Sequence, residues 1–255
     1  MKELNMFIVL GRKTVGKVFA GIFFFGLTVG AYNYNFAIHP NMHNWEKEQL
    51  IIRQVNTDQK AIALTFDDGP NAVNTLELLE VLEKHKAKAT FFVLGNKAEK
   101  QPDMLKKMTQ AGHEIGNHSY SHADFNGKSD EFILEEIKKT NHIINQITGH
   151  TPKFFRPPGG YLSYAMVDLT KHERLTIGYW TWQQDSKDWR DGTTSVQIAK
   201  HIKKNIKPGQ IIVLHDGGSN GMQTVKAMDL LIPDLIQQGY RLVTMSQLLK
   251  LENKE

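Results

Sequence analysis

An apolar run, AIALTF (61–66), leads directly into the charged turn DDGP (67–70). Six uncharged residues that end in a turn are typical of a buried strand in a parallel sheet. Further apolar runs follow along the chain, with amphipathic helical patterns between them, over 90–94, 113–116, 153–156, 175–182, 210–214 and 241–244. This alternation predicts an α/β fold, and about seven strands in one domain favour a distorted β/α barrel.

A doubly wound open sheet is the alternative topology. It predicts a glycine-rich phosphate turn after the first strand. Asp67 and Asp68 bring two negative charges to that turn, which makes it a poor phosphate site. The helical patterns, among them 77–88 and 131–142, have apolar stripes and polar backs, and we expect no functional residue on them.

Composition limits the chemistry that this chain can perform. Its 255 residues are 40% hydrophobic and 23% charged, which are values of a globular protein with a sizeable core and exclude a disordered chain. There is no cysteine, so disulfides, zinc–thiolate sites and cysteine nucleophiles are excluded. Any bound metal must therefore be held by histidines and carboxylates.

The positive charge is concentrated at the N-terminus. Residues 1–45 carry +3 of the net charge of +4, so the rest of the chain is nearly neutral and we expect no nucleic-acid binding. An uncharged stretch, 18–38, follows these cations, and it fits either a cleaved signal peptide or a retained membrane anchor. We therefore expect an exported protein with a signal or anchor over 1–38, a linker and lead-in over 39–58, and one domain over 59–252.

Polar side chains recur where the predicted strands end. They are Asp67 and Asp68 after the first strand, His118 and His122 after the third, Arg156 at the end of the fourth, Asp185 and Asp188 after the fifth, and His215 at the end of the sixth. The carboxyl ends of barrel strands converge on one face, where active sites are built. Each motif alone is weak, but their joint placement predicts a single catalytic site.

Two imidazoles and one carboxylate can hold a divalent metal and leave positions open for water and substrate. His118, His122 and Asp68 can form that set. Asp67 points away from its neighbour along the strand and is a candidate base, which Arg156 would keep ionised.

A second titratable pair is expected at the end of the sixth strand. His215 is the candidate general acid, because expulsion of an amine requires a proton donor. A neighbouring carboxylate, either Asp188 or Asp185, would raise its pKa and favour the protonated form.

Five ordered segments resemble the motifs of the polysaccharide deacetylases of carbohydrate esterase family 4. They are TFDDGP (65–70), HSYSH (118–122), RPPG (156–159), DSKDW (185–189) and IVLHD (212–216), and the likeness extends over about 60–250. The resemblance implies a distorted barrel with a catalytic base, a base holder, an acid with its partner, three metal ligands and several substrate contacts. It implies that Asp67 is the base, that Arg156 holds it, and that His215 is the acid with Asp188 as its partner. The implied metal ligands are Asp68, His118 and His122. The implied substrate contacts are Gly159, Tyr161, Trp189, Val213 and Leu214. It also implies one divalent metal, with zinc favoured over cobalt or nickel.

Two positions depart from the family pattern. Gly159 stands where the family often has an aromatic residue, and it retains the backbone N–H that would face an oxyanion. Val213 stands where leucine is frequent, which would reshape the pocket for the acetyl group. Trp180 and Trp182 can stack on sugars or pack in the core.

The resemblance implies a hydrolase that removes N-acetyl groups from N-acetylglucosamine in peptidoglycan, and with the N-terminal segment we expect it to be exported and monomeric. Chitin or chitooligosaccharide deacetylation and acetylxylan esterase activity remain alternatives with the same site. A glycosidase needs two carboxyls flanking the glycosidic oxygen and leaves the histidine pair unexplained. A non-catalytic wall-binding protein would be expected to lack a metal ligand or the base. The partners expected are therefore a cell-wall glycan and, if the N-terminal segment is retained, the membrane.

Overall fold

The computed structural model describes residues 42–253, which form a parallel sheet of eight strands with nine helices around it. Strands β1 to β8 are Ile51–Ile52, Ala61–Gly69, Thr90–Val93, Glu114–Asn117, Phe154–Phe155, Thr176–Gly178, Ile211–His215 and Arg241–Val243. Helices α1 to α9 are Met42–Lys47, Asn74–Lys84, Gly95–Lys100, Pro102–Gln110, Asp130–Thr148, Tyr164–His172, Ser195–Asn205, Gly221–Gln237 and Met245–Leu249.

The strand order is β1-β6-β5-β4-β3-β2-β7, and β8 pairs with the first residues of β2. Every strand pair in the described residues is parallel. The ladder does not close between β1 and β7, although an isolated bridge joins Gln54 to Gln210. Beyond the end of β6, the N–H of Thr181 also donates to the carbonyl of Ile211, at 2.9 Å. The predicted α/β fold is confirmed. These two contacts bring the ends of the sheet together as in the predicted barrel, but the ladder of strands is not closed.

All seven predicted strands are present. The additional strand, β1, has only two residues and lies in the segment 39–58 that was predicted to be linker and lead-in. Strand β2 is buried along its whole length except at Asp68. This burial explains why polar and apolar residues do not alternate in the AIALTF run. Helices cover a parallel sheet on its outer face and side chains fill its interior, so such a strand is apolar on both sides.

Helix α5 is longer than the predicted helical pattern, 131–142. It begins after Ser129, whose hydroxyl accepts the N–H of Phe132 at 3.3 Å, and it ends at Gly149, which has a left-handed φ of 73°. Ser129 is a typical N-cap residue and Gly149 a typical C-terminal one. The back of this helix is not wholly solvated, because Glu136 is buried.

The predicted signal peptide or anchor, 1–38, lies outside the described residues. Within residues 42–253, no helix combines the length and the apolar character that a membrane crossing requires.

Candidate active site

A cavity of about 680 Å³ lies at the carboxyl ends of the central strands. It brings together six of the side chains that the sequence placed at strand ends: Asp67, Asp68, His118, His122, Asp185 and His215. Its walls include three tryptophans, Trp180, Trp182 and Trp189. Arg156 and Asp188 are fully buried behind this wall, so they can act only through the residues they contact.

Asp68, His118 and His122 form a cluster whose potential ligand atoms all lie within 4.8 Å of one another. Oδ1 of Asp68 is 3.4 Å from Nε2 of His118 and 3.3 Å from Nε2 of His122. That oxygen is buried and has no hydrogen-bond partner in the protein. The Nδ1–H of His118 donates to the carbonyl of Arg156 at 2.7 Å, which leaves Nε2 facing the cluster as a possible ligand. The donor set and the unpartnered oxygen fit a divalent cation such as zinc.

The electrostatics of the cluster favour a cation. Burial opposes ionisation of Asp68, but the neighbouring imidazoles, His118 above all, outweigh it and lower the pKa of this carboxyl. Burial, together with the charge of His118, lowers the pKa of His122 and favours its neutral form. Burial opposes protonation of His118 as well, yet the carboxylates Asp67 and Asp68 raise its pKa. Positive charge is therefore stabilised where the three side chains meet.

The backbone at the cluster adopts unusual conformations. Asp68, Ser119 and His122 are non-glycine residues with left-handed φ values of 68°, 68° and 59°. Such residues cluster at functional sites, where the surrounding structure must hold them in place. Here the side-chain oxygen of Asn117 accepts the N–H of Ser119 at 2.8 Å, and Oγ of Ser119 accepts the N–H of His122 at 3.1 Å.

Asp67 is held by Arg156. Nη1 of Arg156 donates to Oδ1 of Asp67 at 2.8 Å, while Nε and Nη2 donate to the backbone carbonyls of Gly178 and Tyr179 at 2.7 and 2.9 Å. The guanidinium also lies 4.0 Å from the ring centroid of Phe92. Within the described residues Oδ2 of Asp67 accepts no hydrogen bond from the protein, so this oxygen is available to a molecule in the cavity.

His215 is paired with Asp188 rather than with Asp185. Nδ1 of His215 lies 2.9 Å from Oδ1 of Asp188, whose Oδ2 also accepts the backbone N–H of His215 at 2.7 Å. Burial lowers the pKa of His215, but the hydrogen bond and charge of Asp188 outweigh it and raise the pKa to about 9. Asp185 instead forms a salt bridge with Lys187 at 2.5 Å.

The predicted substrate contacts divide into two groups. Gly159, Trp189 and Val213 line the cavity, and space is open around the α-carbon of Gly159. Leu214 does not line the cavity. Its side chain is fully buried in the hydrophobic core, because successive strand residues point to opposite faces of the sheet. Tyr161 is half-buried and is also not part of the cavity wall.

Three polar side chains that the sequence did not predict as site residues support the site. Thr65 accepts a hydrogen bond from Nη1 of Arg156, Lys97 donates to the backbone carbonyl of Asp68, and Thr224 donates to Oδ2 of Asp188, each at 2.8 Å. Thr65 could have been found, because it begins the segment TFDDGP. Lys97 and Thr224 stand in helical stretches far from their partners, and no local pattern marks them.

A cluster whose donor atoms fit a cation, beside a carboxylate held by an arginine and an imidazole with a raised pKa, is the arrangement with which metal-dependent hydrolases activate water and protonate a leaving group. That is the class of protein that the fold and the site define. The chain belongs to the polysaccharide deacetylase family, carbohydrate esterase family 4, and its residues 54–178 match the family model. Members of this family are metal-dependent.

Named relatives agree with this assignment. A peptidoglycan-N-acetylglucosamine deacetylase of Bacillus cereus is 40% identical over 198 residues, which are 77% of this chain and 92% of the relative. The solved structure of the Bc1960 peptidoglycan N-acetylglucosamine deacetylase is similar, with a TM-score of 0.77 and 32% identity over 82% of this chain and 98% of the other. A family 4 acetyl xylan esterase from Clostridium thermocellum, solved with a cobalt ion, has a TM-score of 0.69 and 36% identity over 75% and 91%.

Proposed function

We propose that this protein hydrolyses the N-acetyl groups of N-acetylglucosamine residues in peptidoglycan, releasing acetate and leaving glucosamine. One observation carries the proposal: a single cavity contains a potential proton acceptor, Asp67, and a histidine favoured in its protonated form, His215, beside a cluster suited to a divalent metal. Amide hydrolysis needs an ionised base and a protonated acid at the same pH, because water must lose a proton while the leaving nitrogen gains one.

Asp68, His118 and His122 would hold the metal, with zinc favoured. When bound, such an ion polarises a carbonyl oxygen and lowers the pKa of a water molecule. The chain's own residues supply the remaining chemistry. Asp67 accepts the proton of the attacking water through its free Oδ2, since Oδ1 is held by Arg156.

His215 donates a proton to the nitrogen of the departing sugar, and Asp188 favours the charged imidazole that can do so. The backbone N–H of Gly159 would donate to the oxygen that becomes negatively charged, and the exposed position of this residue at the cavity supports that role. Trp189, whose surface is 45% exposed, offers a ring on which a sugar can stack.

The relatives support peptidoglycan as the substrate, since the B. cereus relative and the solved Bc1960 protein are both named peptidoglycan N-acetylglucosamine deacetylases. A cell-wall substrate in turn requires the catalytic domain, 59–252, to act outside the membrane. Residues 1–38 are the proposed export signal or anchor, because cations precede an uncharged stretch there.

The proposal is tested by acetate release from peptidoglycan, chitin oligomers and acetylxylan, measured side by side with the purified full chain and with Asp67→Asn as the matched control. We expect acetate from peptidoglycan at the highest kcat/KM and almost none from the variant. Faster release from chitin oligomers or acetylxylan would transfer the assignment to those substrates. Glycan binding without acetate release from any of them would contradict a catalytic function.

A further inference from the structure

The two histidines of the cluster are joined by a short loop, residues 119–121, and one buried carboxylate contacts this loop three times. Oε2 of Glu136 accepts the backbone N–H of Tyr120 at 3.0 Å and that of Ser121 at 2.8 Å. Its Oε1 accepts the hydroxyl of Ser121 at 3.0 Å. Glu136 is 8% exposed, and its hydrogen bonds reach the loop from helix α5, 15 and 16 residues along the chain.

Among the described residues Glu136 forms no salt bridge, and every hydrogen bond of its carboxylate goes to this loop. A buried carboxylate requires hydrogen-bond donors, and donors bound to a charged acceptor form stronger bonds than neutral pairs. The loop supplies the hydrogen-bond donors that the carboxylate requires, and the carboxylate in turn fixes the position of two backbone N–H groups. Glu136 therefore restrains the loop more tightly than packing alone would.

The loop conformation decides where His122 points. The side chain of His122 is 41% exposed, so packing restrains it less than it restrains His118, which is 3% exposed. Ser119, the first residue of the loop, and His122, which follows it, have the left-handed φ values described above. A restraint in the middle of the loop is thus transmitted through the backbone to the one metal ligand that lies nearest to solvent.

We infer that Glu136 is a positioning residue for the metal site, which sets the affinity for zinc by holding the loop between His118 and His122. The inference rests on the metal site of the proposed function. Partners that orient metal ligands typically change affinity by about 10- to 100-fold when they are removed. We expect a loss in this range for Glu136→Ala.

The experiment measures the dissociation constant for zinc of the full chain, by competition with a chromogenic chelator and without any glycan. Glu135→Ala is the matched control, because Glu135 is the preceding residue of the same helix, carries the same charge and is exposed. Glu136→Gln should stay within about threefold of the unmodified chain: its carbonyl can accept both backbone N–H groups and its amide can donate to the hydroxyl of Ser121.

Thermal unfolding of the metal-free variants separates positioning from stability. A residue with a merely structural role would lower the Tm of Glu136→Ala and leave the zinc affinity of the folded protein unchanged, which would overturn the inference. Equal weakening in Glu135→Ala, or Glu136→Gln as weak as Glu136→Ala, would also overturn it. If Glu136→Ala does not fold, Glu136→Asp, one methylene too short to reach the loop, replaces it with the same expectations.

Failure of the underlying metal site gives a different result. In that case the unmodified chain itself would bind no zinc, whereas failure of this inference leaves the unmodified chain with a tight site and the variants with the same one.

Discussion

Replacement of Asp188 by asparagine tests the acid side of the mechanism most sharply. The carboxylate of Asp188 keeps His215 protonated, and its two oxygens have different partners: Oδ1 faces the imidazole Nδ1, and Oδ2 accepts the N–H of His215 and the hydroxyl of Thr224. In Asp188→Asn the amide oxygen should remain with those two donors. The amide nitrogen then faces Nδ1, which can accept its hydrogen only in the neutral ring.

The magnitude follows from the pKa of His215, which the folded protein raises from 6.5 to about 9. This difference corresponds to roughly 3 kcal/mol in favour of the charged ring. Without the carboxylate, burial acts against the charge, so we expect the pKa to fall by about 2 units or more. At pH 8 the protonated fraction then decreases by roughly 10- to 30-fold, and kcat/KM should decrease with it.

The assay is the pH dependence of kcat/KM for acetate release. The unmodified chain should show a bell-shaped profile whose alkaline limb reports His215, and this limb should move to lower pH in Asp188→Asn. Asp185→Asn is the matched control, because it makes the same substitution at a carboxylate that pairs with Lys187. The alkaline limb of this variant should move less. An alkaline limb that stays in place in Asp188→Asn would refute the role of this pair.

Three further predictions concern the base, the metal and the core. Asp67→Asn should lower turnover by roughly 10²- to 10⁴-fold while zinc affinity stays within a small factor, and loss of the metal instead would show that the roles of Asp67 and Asp68 are reversed. A chelator should abolish acetate release, zinc or cobalt should restore it, and circular dichroism should show an intact fold throughout, whereas unfolding would make the metal structural. Burial and Lys88 lower the pKa of His113 to about 4, and its Nδ1 accepts the N–H of Ala89 at 3.2 Å. Below pH 6.5 His113 of the unfolded chain becomes protonated, whereas in the folded chain it stays neutral until about pH 4, so the free energy of unfolding should fall by roughly 3 kcal/mol between these two pH values. Urea unfolding at pH 7 and pH 4.5 should show a smaller loss of stability in His113→Gln than in the unmodified chain. An equal loss in the two proteins would show that His113 is not its cause.

The strands could be predicted because long apolar runs between turns leave few other structures possible. Strand β1 could not, since Ile51 and Ile52 alone give no periodicity, and their pairing with Ile177 and Gly178 spans more than a hundred residues. The alternation of side chains along a strand would also have excluded Leu214 as a substrate contact, although the family motif includes it. His215 faces the cavity, so its neighbour Leu214 must face the core.

The cluster at the strand ends could be anticipated because topology alone brings those ends together. The buried hydrogen-bond partners could not. Glu136 lies on a helix whose polar positions look solvated in the sequence, and only the folded structure places it against the loop at Tyr120 and Ser121. Likewise the choice of Asp188 over Asp185 depends on side-chain directions within one loop, which spacing does not determine.

We propose above all that this chain hydrolyses an amide of the glycan and leaves the glycan strand intact. The direct test treats purified peptidoglycan with the full chain, then measures acetate together with the amino sugars and the length of the glycan strands by mass spectrometry. We predict one acetate for each new glucosamine, unchanged strand length, and neither product with Asp67→Asn. Shortened strands without acetate, or equal acetate from Asp67→Asn, would contradict the account.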